Sequence, residues 1–278
     1  KTPKTSLNIN KWIYSELIQT KDKIERNLKE YRFDEAAKNA YQFAWHSYCD
    51  WYIELSKTIL FSKDEKAKKE VKDVSAYIFK QILIILHPFI PFVTEKIWLK
   101  NGFDKSSKNF LMHANWPRGK AKKDQSMKDV EKIINVISEL RSFKNELNVS
   151  PGSFVDISMN KIAKKNKLLM TNNEIIFKKL GRINNFFDKD QEKPSATLVI
   201  SGDIFKIYFD ENVDLNLIKE NLVKRQNKYQ EEMDKISQRL SNKGFTDRAP
   251  KNIVEQEKTN YSNLKNDIKK ISLTIESL

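Results

Sequence analysis

The side chains of this chain that could do chemistry are above all cations. Among its 278 residues, 51 Lys and Arg face 37 Asp and Glu, a formal charge of +14. A surplus of that size attracts polyanions, nucleic acid first among them. It is uneven: 24 basic residues meet 15 acidic ones over 1–125, 14 meet 12 over 126–213, and 13 meet 10 over 214–278. The first segment is therefore expected to hold the main electrostatic footprint. The competing account is a lysine-rich coding bias with no functional content.

Bond-making chemistry lacks its parts. The six glycines, Gly102, Gly119, Gly152, Gly181, Gly202 and Gly244, never come closer than 17 residues. No glycine-rich phosphate loop or dinucleotide fingerprint can be built from them. His46 and Cys49 stand three apart and could share a helix face, but two ligands do not complete a zinc site. The preferred reading is a packed core pair. Cys49 is the single cysteine, so no disulfide forms within the chain, and a reducing cytoplasm fits. No nucleophile has an evident base beside it. No metal site, cofactor or catalytic centre is therefore expected within these residues. The longest apolar run, Ile82 to Leu86, is far short of the ~20 residues that cross a bilayer. The chain begins with Lys rather than Met, which points to a fragment of something longer.

The elements that must position these cations read as mainly α, with a small β component. Ile13, Leu17, Ile24, Leu28 and Tyr31 recur at helical spacing. Asp34 suits the N-cap of a second helix, whose apolar steps run Phe33, Ala37, Tyr41, Ala44, Tyr48, Tyr52, Leu55 and Ile59. Val71, Val74, Ile78, Ile82 and Ile85 mark a third helix, ending at His87 before Pro88. Pro91 opens a fourth, Phe92 to Lys100, closed by Asn101-Gly102. Short connections make an antiparallel helical bundle the simplest packing. With a basic connector, it takes residues 1–125 as the first domain.

Residues 126–213 read as a small mixed α/β unit. A helix carries Val130, Ile133, Ile134, Ile137, Leu140 and Phe143, and Ser150-Pro151-Gly152 forces a turn. A strand spans Phe154 to Ser158, and a β-hairpin joins Ala196–Ile200 to Ile204–Phe209. Over 214–278 two heptad seams face each other. One runs Leu215, Ile218, Leu222, Arg225, Tyr229, Met233, Ile236 and Leu240. The other runs Val254, Glu257, Tyr261, Leu264, Ile268, Ile271, Ile275 and Leu278. The short loop Ser241 to Pro250 predicts a fold-back, so this segment is expected to be an antiparallel coiled-coil hairpin of two ~40 Å arms. The rival is a coiled coil between molecules.

Two stretches carry more than pattern. Tyr31-Arg32-Phe33-Asp34-Glu35-Ala36-Ala37 leads to Phe43-Ala44-Trp45-His46-Ser47-Tyr48-Cys49-Asp50-Trp51-Tyr52-Ile53-Glu54. Leu86-His87-Pro88-Phe89-Ile90-Pro91-Phe92-Val93-Thr94-Glu95-Lys96-Ile97-Trp98 follows. Together they resemble the anticodon-binding helical domain of class I aminoacyl-tRNA synthetases for valine, isoleucine and leucine. Asn242-Lys243-Gly244-Phe245-Thr246-Asp247-Arg248-Ala249-Pro250 is similar to the hairpin loop of the valyl type, whose C-terminal helical arm leans on the tRNA body. The single cysteine argues against the zinc module that ends isoleucyl enzymes.

The resemblance covers nearly the whole chain, strongly over 31–98 and 240–256 and weakly over 100–212. It implies the tRNA-recognition portion of an enzyme that ligates valine to tRNA(Val), monomeric and cytoplasmic. ATP with Mg would act in a catalytic part absent from these residues. Other readings are a leucyl or isoleucyl fragment, a helical or coiled-coil scaffold for proteins, and a free-standing tRNA-binding protein.

On this reading Lys11, Trp12, Lys23, Arg26 and Arg32 are candidates to meet the anticodon region. Lys120, Lys122 and Lys123 in the connector could hold phosphates. Lys243, Phe245 and Arg248 would stand at the coiled-coil tip. Trp45, Trp51, Trp98, Phe89 and Phe92 are expected to pack in the core. Asp50 and Glu54 have Lys57 in reach, or a neighbouring helix to cap.

Overall fold

The computed structural model describes residues 2–103, 110–119, 125–211, 213–242, 244 and 250–278. The chain divides into two compact units, residues 1–135 and 136–278. The sheet and the coiled coil thus share the second unit.

The first unit is built on α1 (Asn8–Lys29), whose face Ile13, Leu17, Ile18 and Ile24 is fully buried. No side chain of its own caps α1. Glu70 does so from another helix, accepting the N–H groups of Ser6 (2.7 Å) and Leu7 (2.9 Å), the Asn10 amide (2.9 Å) and the Ser6 hydroxyl. A carboxylate there also complements the positive end of the helix dipole. Burial alone would raise the Glu70 carboxyl. The hydrogen bonds from Ser6, Asn10 and Leu7 outweigh it and hold the group below the ordinary carboxylate range.

The second helical rod changes character along its length. It comprises α2 (Phe33–Gln42), a π-helical stretch (Phe43–Tyr52) and α3 (Ile53–Leu60). Its buried apolar positions are Ala36, Ala40, Phe43, Tyr48, Tyr52 and Leu55. The five-residue step from Phe43 to Tyr48 needs a wider turn than an α-helix has, and Ile53 N–H bonds the Tyr48 carbonyl five residues back. The expected seam through Phe33 and Tyr41 is therefore wrong, for both rings are exposed. The alanines bring the backbones of α1 and α2 close and select the other face. Asp34 lies inside the first turn instead of capping it, because the helix already starts at Phe33.

α4 (Glu65–Leu86) is capped by Asp64, which accepts Ala67 N–H at 3.0 Å. Val71, Val74, Ile78, Ile82 and Ile85 are all buried as the spacing predicts. α5 (Pro91–Lys100) starts at its proline, as expected. His87 Nδ1 lies 2.8 Å from the Thr94 hydroxyl and closes the turn between the two helices.

α1 and α4 run parallel. Asn10 meets Glu70 at one level, and Tyr14 meets Tyr77 at 6.3 Å a few residues further along each. The α2–α3 rod runs antiparallel between them, for Tyr52 OH donates to Asn10 (2.8 Å) while Tyr48 OH bonds Ser75 (2.9 Å). One end of the bundle therefore carries the start of α1 and the α3–α4 turn. The other carries the α1–α2 and α4–α5 turns.

In the second unit, α6 (Gln125–Glu146, from residue 136) precedes β1 (Val155–Lys161). Then come α7 (Lys164–Asn172), α8 (Glu174–Gly181), β2 (Ile183–Phe187), β3 (Ala196–Ile200) and β4 (Asp203–Phe209). The sheet order is β2-β1-β4-β3, with only β1 and β2 parallel. The β3–β4 hairpin is as expected, turning on Ser201 and Gly202, both at positive φ. β1 begins one residue later and ends three later than the sequence suggested.

α9 (Leu215–Ser241) and α10 (Lys251–Ser277) are 27 residues each and pack against one another. Every residue of both expected seams is buried or half-buried, Arg225 and Glu257 included. Ser195 N–H bonds the Ser277 carbonyl (2.9 Å) and fixes the root of this arm to the start of β3. Mainly α, with bundle, small mixed sheet and antiparallel coiled-coil hairpin, is the architecture observed.

Candidate nucleic-acid interface

The bundle end at the α3–α4 turn is basic. Phe61, just past α3, is 79% exposed. Lys63, Lys66 and Lys69 follow at three-residue spacing, all exposed and with no carboxylate in ion-pair range among the described residues. Four of the nearby carboxylates are already engaged, Glu54 with Lys57, Asp64 as the α4 cap, Glu65 with Lys68 (2.7 Å) and Glu70 at the start of α1, while exposed Asp73 stands one turn past Lys69 without pairing it. The result is free positive charge around one exposed aromatic ring. Such a combination suits single-stranded nucleic acid, since any base offers a π-face and the lysines meet its phosphates.

The opposite end has another chemistry. Tyr31 (82% exposed) meets Phe33 edge-on at 6.3 Å across the α1–α2 turn. Ile90, Phe92 (89% exposed) and Val93 stand out from the α4–α5 turn. Midway along the rod, exposed Tyr41 and Trp45 lie with ring planes within 5° of each other. Trp45 and Phe92 are thus not core residues as expected. Trp98 is buried beside Leu83, Ile84 and Leu111, with Lys80 Nζ 4.8 Å above its ring, while Trp51 and Phe89 are half-buried.

The sequence candidates divide between the two ends. Lys11 sits beside Asn10 at the basic end and is half-buried. Trp12 at 3% exposure is enclosed by the bundle, so its ring has no face to give a base; this corrects the expectation for that residue. Lys23 and Arg26 are exposed one turn apart near the far end of α1, about 16–22 Å from Trp12 at 1.5 Å per residue. Arg32 is exposed beyond them, 3.9 Å from Glu30. Lys120, Lys122, Lys123, Lys243, Phe245 and Arg248 lie outside the described residues.

The expected His46–Cys49 core pair is also corrected. Both are exposed, and His46 Nδ1 pairs with Asp50 at 2.9 Å. Burial, then Asp50, raises the Cys49 thiol, so it is no ready nucleophile. No group of three or more His, Cys, Asp or Glu suited to a metal occurs among the described residues. No described helix is long and apolar enough to cross a membrane.

Phe61, Lys63, Lys66 and Lys69 were missed in the sequence. The signal available was the Phe61-Ser62-Lys63-Asp64 break between two helical patterns, a capped turn with its one aromatic left outside both seams.

A helical bundle with a basic, aromatic-tipped end, together with a coiled-coil arm, has the parts expected of a nucleic-acid-binding module. The chain belongs to the family described as the anticodon-binding domain of tRNA ligase, whose model matches residues 10–158. A second model, described as the valyl tRNA synthetase tRNA binding arm, matches residues 214–278, the whole coiled-coil hairpin.

Similar curated proteins include the valine–tRNA ligase of Pelagibacter ubique, 72% identical over 276 residues and 99% of this chain. Those of Bartonella quintana and Rhizobium meliloti are each 31% identical, over 100% and 97% of the chain. The chain spans about a third of the length of these relatives (32%, 31% and 28%).

Proposed function

We propose that this chain is the tRNA-recognition portion of a valine–tRNA ligase, binding tRNA(Val) through the bundle and the coiled-coil arm. The observation that carries it is the 72% identity to such a ligase across 99% of the chain. The match of 214–278 to the valyl-type arm favours valine over leucine or isoleucine. Ligation of valine, with its ATP and Mg, belongs to the remaining two thirds of the relatives' length. A monomeric, cytoplasmic parent fits the resemblance.

The anticodon loop is taken at the α3–α4 end. A splayed base stacks on Phe61, and Lys63, Lys66 and Lys69, with Lys11 close by, meet the phosphates. Lys63, Lys66 and Lys69 have no carboxylate in ion-pair range among the described residues, whereas the opposite end offers bare apolar side chains that suit cover by protein. Lys23 and Arg26 on α1, Arg32 in the α1–α2 turn, and Lys120, Lys122 and Lys123 add backbone phosphate contacts. At the arm tip Lys243, Phe245 and Arg248 touch the folded body of the tRNA by shape and charge.

Gel shift with tRNA(Val) and an anticodon-swapped tRNA tests the proposal. Tighter binding of tRNA(Val) is the expected outcome, and Phe61→Ala should weaken it by about 5- to 150-fold, the range of one base–aromatic stack. Equal affinity for both tRNAs would remove anticodon reading by this chain.

A further inference from the structure

Neither family model covers residues 159–213, where the sheet carries its densest run of positive charge. From Lys161 to Arg182 there are seven cations (Lys161, Lys164, Lys165, Lys167, Lys178, Lys179 and Arg182) against one carboxylate, Glu174. Lys167 is paired with Asp188 and Lys178 with Glu174. Lys161, Lys164 and Lys165 are exposed, and none has a carboxylate in ion-pair range among the described residues.

These three are held on a rigid base. Lys161 ends β1, opposite Ile204 at the start of β4. Lys164 and Lys165 open α7. Buried Asp203, beside the β3–β4 turn, accepts Ala163 N–H (2.8 Å) and the Asn166 amide, tying α7 to the hairpin. Asp203 is thereby spent on backbone and amide and neutralises none of the three. Lysines in a first turn oppose the helix dipole, so the stability of α7 does not account for Lys164 and Lys165. An aromatic base platform is lacking in this run up to α8, whose Phe177 is fully buried. Charge without stacking fits a phosphate backbone read by position, not by base.

We infer that Lys161, Lys164 and Lys165 form a second contact surface for tRNA, holding backbone phosphates at the β1–α7 end of the sheet. This rests on the reading of the chain as a tRNA binder. It gives the small α/β unit a role of its own, separate from bundle and arm.

The test is the salt dependence of tRNA binding by the whole chain and by its K161Q/K164Q/K165Q variant. Each neutralised phosphate contributes about 0.9 to the log–log slope, so the variant's slope should fall by about 2–3, and between 50 and 200 mM salt the wild type should lose about 40-fold more affinity than the variant. The K161R/K164R/K165R variant keeps the charge and should keep the slope. A second readout needs no substitution: acetylation of Lys161, Lys164 and Lys165 in the wild type, followed by mass spectrometry, should slow several-fold when tRNA is added. Wild type that binds tRNA while the Gln variant keeps its slope and the three lysines keep their acetylation rates overturns the inference and leaves the parent reading standing. Wild type that fails to bind tRNA overturns both.

Discussion

Glu70 shows how much one carboxylate can organise. It takes hydrogen bonds from two backbone N–H groups, an amide and a hydroxyl, and so joins α4 to the start of α1. Glu70→Gln keeps the size but loses the charge, and about 1–3 kcal/mol of stability should go with it, measured by urea unfolding at pH 7. The sign with pH follows from its lowered pKa. A group whose folded pKa is depressed stabilises above its unfolded value, about 4.5 for a glutamate, and loses that contribution as pH falls through the folded value. The wild-type advantage over the variant should therefore vanish on acidification below the ordinary carboxylate range.

Lys144 is the opposite case. Buried at the end of α6, its ammonium donates to the carbonyls of Ser153 (2.9 Å) and Gly181 (3.2 Å). Burial, then Arg182 and Arg141, lowers it to about 8 from 10.5. The unfolded chain then binds more protons between those values, so stability contributed by this site rises with pH across about 8 to 10.5. Unfolding of wild type and Lys144→Met, compared at pH 7.5 and pH 10, should show the wild type gaining relative to the variant. A constant difference would contradict it.

At the scale of elements, what could be read from sequence depended on how many faces each helix offers. The arm has one apolar seam per helix, so all sixteen positions from Leu215 to Leu240 and Val254 to Leu278 lie where the spacing puts them. α4 was equally plain. The Phe33–Leu60 rod was not, because Phe33, Tyr41 and Trp45 on one face compete with Ala36, Ala40 and Phe43 on the other, and an α-helical period cannot express the π-helical step to Tyr48. β2 was invisible for a different reason: Asn184 and Asn185 interrupt any alternation, and the strand is chosen by its parallel pairing with β1. The candidate interface was legible as charge but not as position, since exposure of Phe61 is decided by the register of two helices it ends between.

The arm makes an element-scale prediction of its own. Ile218, Leu222, Ile271 and Thr274 near the root are buried, while further out Ile236 alone of the seam residues is buried and Val254, Tyr261 and Leu264 are only half-covered. Amide hydrogen exchange should accordingly be slowest around residues 218–222 and 271–274 and quicken towards Ser241 and Lys251.

For the whole molecule, tRNA-binding free energy is, on the proposed reading, shared among separate surfaces. Deleting residues 214–278 should weaken tRNA binding about equally for the matched and the anticodon-swapped tRNA, because the arm acts by shape and charge. Phe61→Ala should act mainly on the matched one. Gel shifts with the two tRNAs separate these effects, and unchanged affinity after the deletion would sink the arm's proposed role.

The root of the arm has a mechanical consequence. A hairpin about 40 Å long, held at one end where α10 lies along β3 and Ser277 meets Ser195, is a cantilever. Rocking it by about 5° over that length carries the free end about 3–4 Å, the size of a hydrogen-bond distance. The packing of Ile271 and Thr274 at its foot therefore sets how accurately the outer end of the arm can be aimed, and a single cavity there would blur contacts made about 30–35 Å away.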